Sequence, residues 1–329
     1  MKPFEFAAPE TLAEALSLLS EGFHPIAGGS DLLGELKEGT AHFARLVSLG
    51  RIGALREIRH EVAGLVIGAG VTLAELGAGP RLIGPYRMLA EAARSVATPE
   101  IRNQGTLGGN LFQRPRCLHF RSPWIPCAKK GGTGCPAAAS PYQHYLSVFG
   151  GGGCVAAAAS DLAPPLIALR AVARVAGAPG ARTLDVASLF AGPRAGPDTD
   201  ARREHVLAPG ELLTSVVLPP LHPEWNGTYL KARERTAGDF PLVSVAFGAC
   251  ASQGRLSRVR LVLGGVAPTP RACPEAEAIL EGQAPDAAAI QRAAQAAFAQ
   301  AQPLAHNGYK LDLGRALVAR AIGQIAKGA

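Results

Sequence analysis

Two groups of residues in this chain could do chemistry beyond packing: a set of clustered cysteines and a pair of glycine-rich turns. Cys117, Cys127, Cys135 and Cys154 fall within 38 residues, at spacing C-x9-C-x7-C-x18-C. In a cytosolic chain, thiols clustered in this way favour metal binding over disulfides. The spacing matches neither the CxxC pairs of a zinc ribbon nor the CxxCxxC run of a ferredoxin. Taken alone, it leaves metal ligation and unrelated cysteines both open. Arg114, Arg116, Arg121, Lys129 and Lys130 crowd the same stretch. Four thiolates around an iron–sulfur core leave net negative charge, which such cations would offset. The stretch is also too polar and too rich in Gly and Pro to order itself by burial. His119 lies inside it, but four cysteines already suffice as ligands. Trp124 is expected to pack the loop against the body. Cys250, in the apolar run FGACAS, reads as a packing residue, and Cys273 as inert.

The first glycine turn is Ala27-Gly28-Gly29-Ser30-Asp31-Leu32. Adjacent glycines let the backbone approach a ligand and aim amide N–H groups at it, and a helix start beyond adds positive potential. That suits a pyrophosphate, although the GxGxxG fingerprint is absent. A plain tight turn capped by Asp31 remains open on these residues. The second turn is TPEIRNQGTLGGNL at 98–111, where Thr106 and Asn110 alternate with Gly105, Gly108 and Gly109. It could wrap a phosphate with backbone amides while Asn110 holds the loop, or be an ordinary turn. No Ser-His-Asp or paired-carboxylate arrangement is visible.

The surrounding pattern must position these turns. Residues 4–6, 24–27 and 45–49 read as short strands. A helix with Leu12, Ala15, Leu16 and Leu19 on one face lies between the first two, opening near Pro9 and stopping at Gly22. This is a small β-α-β unit ending near residue 55. The run GLVIGAG at 64–70 opens a second unit, and 85–97 reads as a helix. The stretch 98–153 lacks periodicity, and a loop that long is normally functional. Residues 154–159 are expected as a buried strand, 161–173 as a helix and 212–218 as a strand. After a linker at 219–225, strands are expected at 228–235, 242–251 and 259–265. Ala-rich helices follow at 274–282, 285–301 and 309–326.

The chain has 329 residues, 48% of them apolar and 5% aromatic, with a formal charge of +7. That length suggests two or three modules. The Lys and Arg residues are scattered, so a nucleic-acid partner is not expected. No apolar run approaches a membrane span, and no signal-peptide run opens the chain. It is expected to fold in the cytoplasm, with export only alongside a partner.

Six segments, in order, resemble the FAD-binding subunits of the xanthine dehydrogenase, carbon monoxide dehydrogenase and aldehyde oxidoreductase superfamily of molybdenum hydroxylases. They are AGGSDL at 27–32, IRNQGTLGGNL at 101–111, Ser160-Asp161-Leu162, KARERTAGDFPLVSVA at 231–246, GGVAPTPRA at 264–272 and NGYK at 307–310. The resemblance implies an α+β chain. Residues 1–220 would form a two-subdomain FAD domain of the vanillyl-alcohol-oxidase (PCMH) type, with subdomains at about 1–55 and 56–220. Residues 221–329 would form the C-terminal α+β domain of a CO dehydrogenase flavoprotein. It implies that Ala27, Gly28, Gly29, Ser30, Asp31 and Leu32 hold the pyrophosphate of FAD and that Thr106, Gly109 and Asn110 form a second clamp. Asp161 would take a ribityl or ribose hydroxyl, and Lys231 would sit near the isoalloxazine, unless it is a solvated strand lysine. Ser30 replaces the usual Thr and keeps the hydroxyl.

GGNLFQRPRC followed by FR, PC and GC is similar to the aldehyde oxidoreductase subgroup, whose insertion, here 112–154, carries a [4Fe–4S] cluster. By that likeness Cys117, Cys127, Cys135 and Cys154 are its ligands, although Gly150–Gly153 stand where the subgroup is more polar. The implied partners are a molybdopterin-containing large subunit, a [2Fe–2S] small subunit and an external electron acceptor. A reductase of the 4-hydroxybenzoyl-CoA type, a xanthine dehydrogenase-type subunit and a zinc-stapled flavin-binding module are the alternatives. A stand-alone flavin oxidase is disfavoured, because no residues for substrate chemistry are found.

Overall fold

The computed structural model describes residues 1–150, 153–178, 180–192 and 200–327. Gly151 and Gly152, in the glycine run before Cys154, lie outside them. The chain opens with β1 (Glu5–Ala7), α1 (Leu12–Ser20), β2 (His24–Ile26), α2 (Leu32–Glu38) and β3 (Arg45–Ser48). The strands form a parallel sheet in the order β1-β3-β2. Helix α1 starts later than Pro9 suggested. Thr11 and Glu14 exchange reciprocal side-chain-to-backbone bonds, and that capping box sets the start.

The next stretch comprises β4 (Ile58–Glu61), β5 (Gly64–Gly68), α3 (Leu73–Ala78), α4 (Arg87–Ser95), α5 (Pro99–Gln104), α6 (Leu107–Leu111), α7 (Leu118–Arg121), α8 (Ala163–Ala168), β6 (Val172–Gly177), β7 (Gly180–Asp185) and β8 (Leu212–Leu218). The strands form an antiparallel sheet ordered β4-β5-β8-β6-β7. Two sequence expectations fail here. Residues 154–159 join no sheet. They are held instead by isolated bonds: the Val155 carbonyl accepts from Ser147 N–H and from the Ser147 hydroxyl, and Ala158 N–H donates to the Ala267 carbonyl. The helix expected over 161–173 ends at Ala168, and Arg170 turns the chain at φ 55° into β6. Val172–Gly177 alternates half-buried and buried residues, the period of a strand. The stretch 98–153 is not structureless, since it contains α5, α6 and α7.

The last stretch is β9 (Trp225–Ala232), β10 (Val243–Ser252), β11 (Arg255–Gly264), β12 (Arg271–Ala272), α9 (Pro274–Leu280), α10 (Ala287–Ala296) and α11 (Tyr309–Ala326). Its antiparallel sheet runs β12-β11-β10-β9. One face, with Val245, Phe247 and Leu261, packs on Ala293, Phe298, Val318 and Ile322 of the helical layer. The other face joins the core of the middle stretch: Tyr229, Ala246 and Val262 cluster with Leu89, Ala92, Leu162 and Leu166. Shared burial of this kind fixes β9 against α4 and α8. Among the described residues no helix is long and apolar enough to cross a membrane.

Candidate functional site

The first glycine turn follows β2 and leads into α2, with Gly29 at φ +70°, a conformation glycine adopts without penalty. The backbone N–H groups of Gly28, Gly29, Ser30 and Asp31 make no hydrogen bond to any group among the described residues. Ala27 and Leu32, at the two ends of the turn, are half-buried, and Ser30 is exposed. A short arc of unpaired N–H donors at a helix start is what an anionic group requires. Asp31 occupies the N-cap position of α2, but its side chain makes no cap bond.

The second turn differs from the expected amide wrap, because most of its N–H groups are already used. Leu107 donates to Val71, Gly108 to Ala69, Gly109 to the Thr106 hydroxyl and Asn110 to the Thr106 carbonyl. Asn110 is buried, and its Oδ1 accepts from the Ser160 hydroxyl at 2.7 Å and from Leu162 N–H at 3.2 Å. Asn110 thereby ties α6 to the Ser160-Asp161 corner that begins α8. The two turns meet directly. A Cβ placed on Gly28 would lie 2.6 Å from the Gln104 carbonyl carbon and 3.1 Å from Gly105 N. The free amides of the first turn therefore stand against the second, and only a residue without a side chain fits between them.

Asp161 and Lys231 form a buried ion pair, Nζ to Oδ2 at 2.8 Å, with both side chains 3% exposed. Lys231 also donates to the Ser95 carbonyl at the end of α4. Tyr229 donates its hydroxyl to Asp161 Oδ1. Burial pushes the Asp161 carboxyl up, against the opposing pull of Lys231. Burial, and then the charge of Asp161, raise the Tyr229 phenol well above its ordinary value. Lys231 is thus not a solvated strand lysine. The Asp161 carboxylate, with one donor on each oxygen, keeps lone pairs for a further hydroxyl. Tyr229 was missed from the sequence. It precedes Lys231 by two positions on β9, so the strand period of two places both on one face.

The cysteines gather as well. Cys117 N-caps α7 and packs with Ala128 against Cys154, Ala156 and Ala201. The Cys135 and Cys154 thiols are neighbours, and their interaction lowers the Cys135 thiol and raises that of Cys154. Burial raises the Cys117 thiol, and nearby Cys135 and Cys127 raise it further. Among the described residues no three His, Cys, Asp or Glu side chains already converge in the geometry of a metal site. The donor chemistry nonetheless fits a thiolate-held group: four thiols on one loop, with Lys129 buried and its charge acting on Cys154. Trp124 does not pack the loop down, since it is 88% exposed. The loop is fastened by charge instead. Cys250 and Cys273 are buried, and burial pushes the Cys273 thiol up to about 12.

His24 on β2 stacks on Phe43, ring centroids 3.7 Å apart. Burial, then the charges of His205 and Arg114, push its pKa down from 6.5 to about 4. A group depressed in the folded state stabilises it fully above its unfolded pKa and loses that contribution as pH falls through the folded value. We expect His24 to cost about 3 kcal/mol of stability between about pH 6.5 and pH 4, at about 1.4 kcal/mol per pKa unit. Urea melts across this range should flatten in His24→Phe, and an unchanged slope would rule the residue out as the cause.

Residues 2–221 match the family described as the FAD binding domain in molybdopterin dehydrogenase. Residues 228–325 match the CO dehydrogenase flavoprotein C-terminal domain. The chain is similar to the aldehyde oxidoreductase FAD-binding subunit PaoB of Escherichia coli, 33% identical over 98% of each protein. It is 27% identical to the carbon monoxide dehydrogenase medium chain of Hydrogenophaga pseudoflava, over 97% of this chain and 96% of that one. Among solved structures, carbon monoxide dehydrogenase from Hydrogenophaga pseudoflava superposes with a TM-score of 0.77 at 28% identity, covering 98% of this chain and 96% of that one. Reconstituted CO dehydrogenase from Oligotropha carboxidovorans gives 0.79 at 25% identity, covering 100% of both.

Proposed function

The chain belongs to the FAD-binding subunit family of the molybdopterin dehydrogenases, and from that premise we propose that it is the FAD- and [4Fe–4S]-carrying electron-transfer subunit of a heterotrimeric, molybdenum-containing aldehyde oxidoreductase. The observation that carries this reading is the arc of unpaired amides at 28–31 lying against the second turn. In this reading the FAD domain ends near residue 220 and the C-terminal domain begins at 221.

Ala27, Gly28, Gly29, Ser30, Asp31 and Leu32 hold the pyrophosphate through main-chain N–H groups. Thr106, Gly109 and Asn110 give the opposite wall its shape. Asp161 accepts a hydroxyl of the sugar chain, and Lys231 keeps a positive charge at Nζ beside the flavin ring. FAD, when bound, supplies the exchange between single-electron and two-electron transfer. Cys117, Cys127, Cys135 and Cys154 provide thiolates for the cluster, and Lys129 and the neighbouring arginines offset its charge. Aldehyde chemistry takes place in a large molybdopterin subunit, a small [2Fe–2S] subunit relays the electrons, and an external acceptor removes them from this chain.

The test is metal and flavin analysis of the purified, co-expressed complex beside Cys135→Ser. The variant is expected to lose the iron of the [4Fe–4S] cluster and that cluster's share of the broad absorption beneath the flavin bands, while the small subunit's [2Fe–2S] iron remains and excess FAD still binds. Zinc in place of iron, or unchanged iron in the variant, would overturn the cluster assignment.

A further inference from the structure

The Asp31 side chain makes no cap bond to its own helix and reaches the cysteine loop instead. Its carboxylate accepts from Arg114 N–H, from Arg116 Nη1 and from Arg121 Nη2, each at 2.8 Å. One helical turn on, Glu35 of α2 is 1% exposed. It lies 3.3 Å from Arg121 Nη1 and 3.7 Å from Arg114 Nη1. Burial raises the Glu35 carboxyl, and Arg121 and Arg114 oppose that rise. Arg121 also donates to the carbonyls of Pro115 and Arg114. The arginines that neutralise α2 therefore bracket Cys117, with Arg116 just before it and Arg121 four residues after.

We propose that Asp31 and Glu35 are positioning residues that couple the two cofactor sites, so that a cluster on the cysteine loop tightens FAD binding at the glycine turn. This rests on the reading under Proposed function. The physical reason is that neither side of the junction can relax alone. If the cysteine loop loosens, Arg114 and Arg121 leave Glu35 as an unpaired buried carboxylate, and removing one partner from such a pair is strongly destabilising. The first turn of α2 must then shift, and with it the N–H groups of Gly28 to Asp31. A thiolate-bound cluster fixes Cys117, and so fixes the arginines on either side of it. Coupling free energies are reciprocal, so FAD must tighten retention of the cluster by the same factor.

The test compares the FAD dissociation constant of the full-length protein with its cluster loaded and after stripping by oxidant and chelator. In the wild type, stripping should weaken FAD by about tenfold, within the 5–150-fold range usual for coupled sites. In Arg121→Met that ratio should shrink to about twofold, and Arg121→Lys should recover part of it. A brace without coupling would weaken FAD equally in both forms and leave the ratio at its wild-type value, and that result overturns the proposal. So does a wild-type ratio near one. If Arg121→Met does not fold, the reciprocal measurement on wild type decides: FAD must slow iron loss to chelator. Absence of any cluster at the outset removes the reading beneath the proposal, whereas a cluster with FAD affinity indifferent to it removes the coupling alone.

Discussion

Gly28→Ala should abolish FAD binding, with the dissociation constant raised by about a hundredfold or more, while Gly34→Ala, six positions along, should leave it unchanged. The contrast follows from what each new methyl group meets. At Gly28 it would fall inside the van der Waals envelope of the Gln104 carbonyl oxygen, with the carbonyl carbon 2.6 Å away. Both neighbours are main chain, so no side-chain rotation relieves the clash. The first turn must move away from the second, and the amides of Gly28, Gly29, Ser30 and Asp31 leave the position that the proposed pyrophosphate site needs. A hundredfold loss corresponds to about 2.7 kcal/mol, roughly the net value of one or two charge-assisted hydrogen bonds to a phosphate. At Gly34, inside α2, a Cβ meets nothing within 4 Å. Alanine there should stabilise the helix by about 0.5–1 kcal/mol. Flavin titration and thermal melts of the two variants check both halves. Wild-type affinity in Gly28→Ala would mean that the two turns do not jointly form the pyrophosphate site.

The legibility of the sequence followed the range of the forces involved. Helix α11 and strand β8 were readable because local periodicity and flanking residues determine them. The glycine turns were readable as motifs because a tight turn has a local composition. The commitment of the second turn's amides to Val71 and Ala69 was not readable, because those bonds join segments more than thirty residues apart. Helices α5, α6 and α7 are four to six residues long, too short for a 3.6-residue period to emerge. Asp31 shows the limit most clearly. A carboxylate beside a glycine turn and a helix start reads as a cap or a phosphate-loop residue. Its actual partners, Arg114, Arg116 and Arg121, lie 83 to 90 residues away. Glu35 carried no signal at all, since a glutamate on a short helix reads as solvated until its cations are placed around it.

Removing either member of the Asp161–Lys231 pair should cost about 3–5 kcal/mol, the usual penalty for stranding one buried charge. The chain should then melt roughly 10 °C lower, at about 2–4 °C per kcal/mol for proteins of this size class or somewhat below it. Lys231→Met leaves a carboxylate at 3% side-chain exposure with only the Tyr229 hydroxyl as donor. Asp161→Asn leaves an ammonium group with only the Ser95 carbonyl. The double variant Asp161→Asn/Lys231→Met should regain most of the loss, because a neutral amide can still accept from Tyr229 and methionine fills the space of the lysine stem. A double-mutant cycle in denaturant therefore reads the pair directly, since residues in contact are strongly non-additive. The double variant also separates fold from function. It restores packing but removes the positive charge that the proposed site keeps beside the flavin ring, and a cation there favours the reduced, negatively charged cofactor. Its bound flavin should be harder to reduce than that of the wild type, measured as a lower midpoint potential in a dye-coupled titration. A double variant with losses equal to the sum of the singles would show that the pair is not a unit. A stable double variant with an unchanged flavin potential would place Lys231 away from the ring.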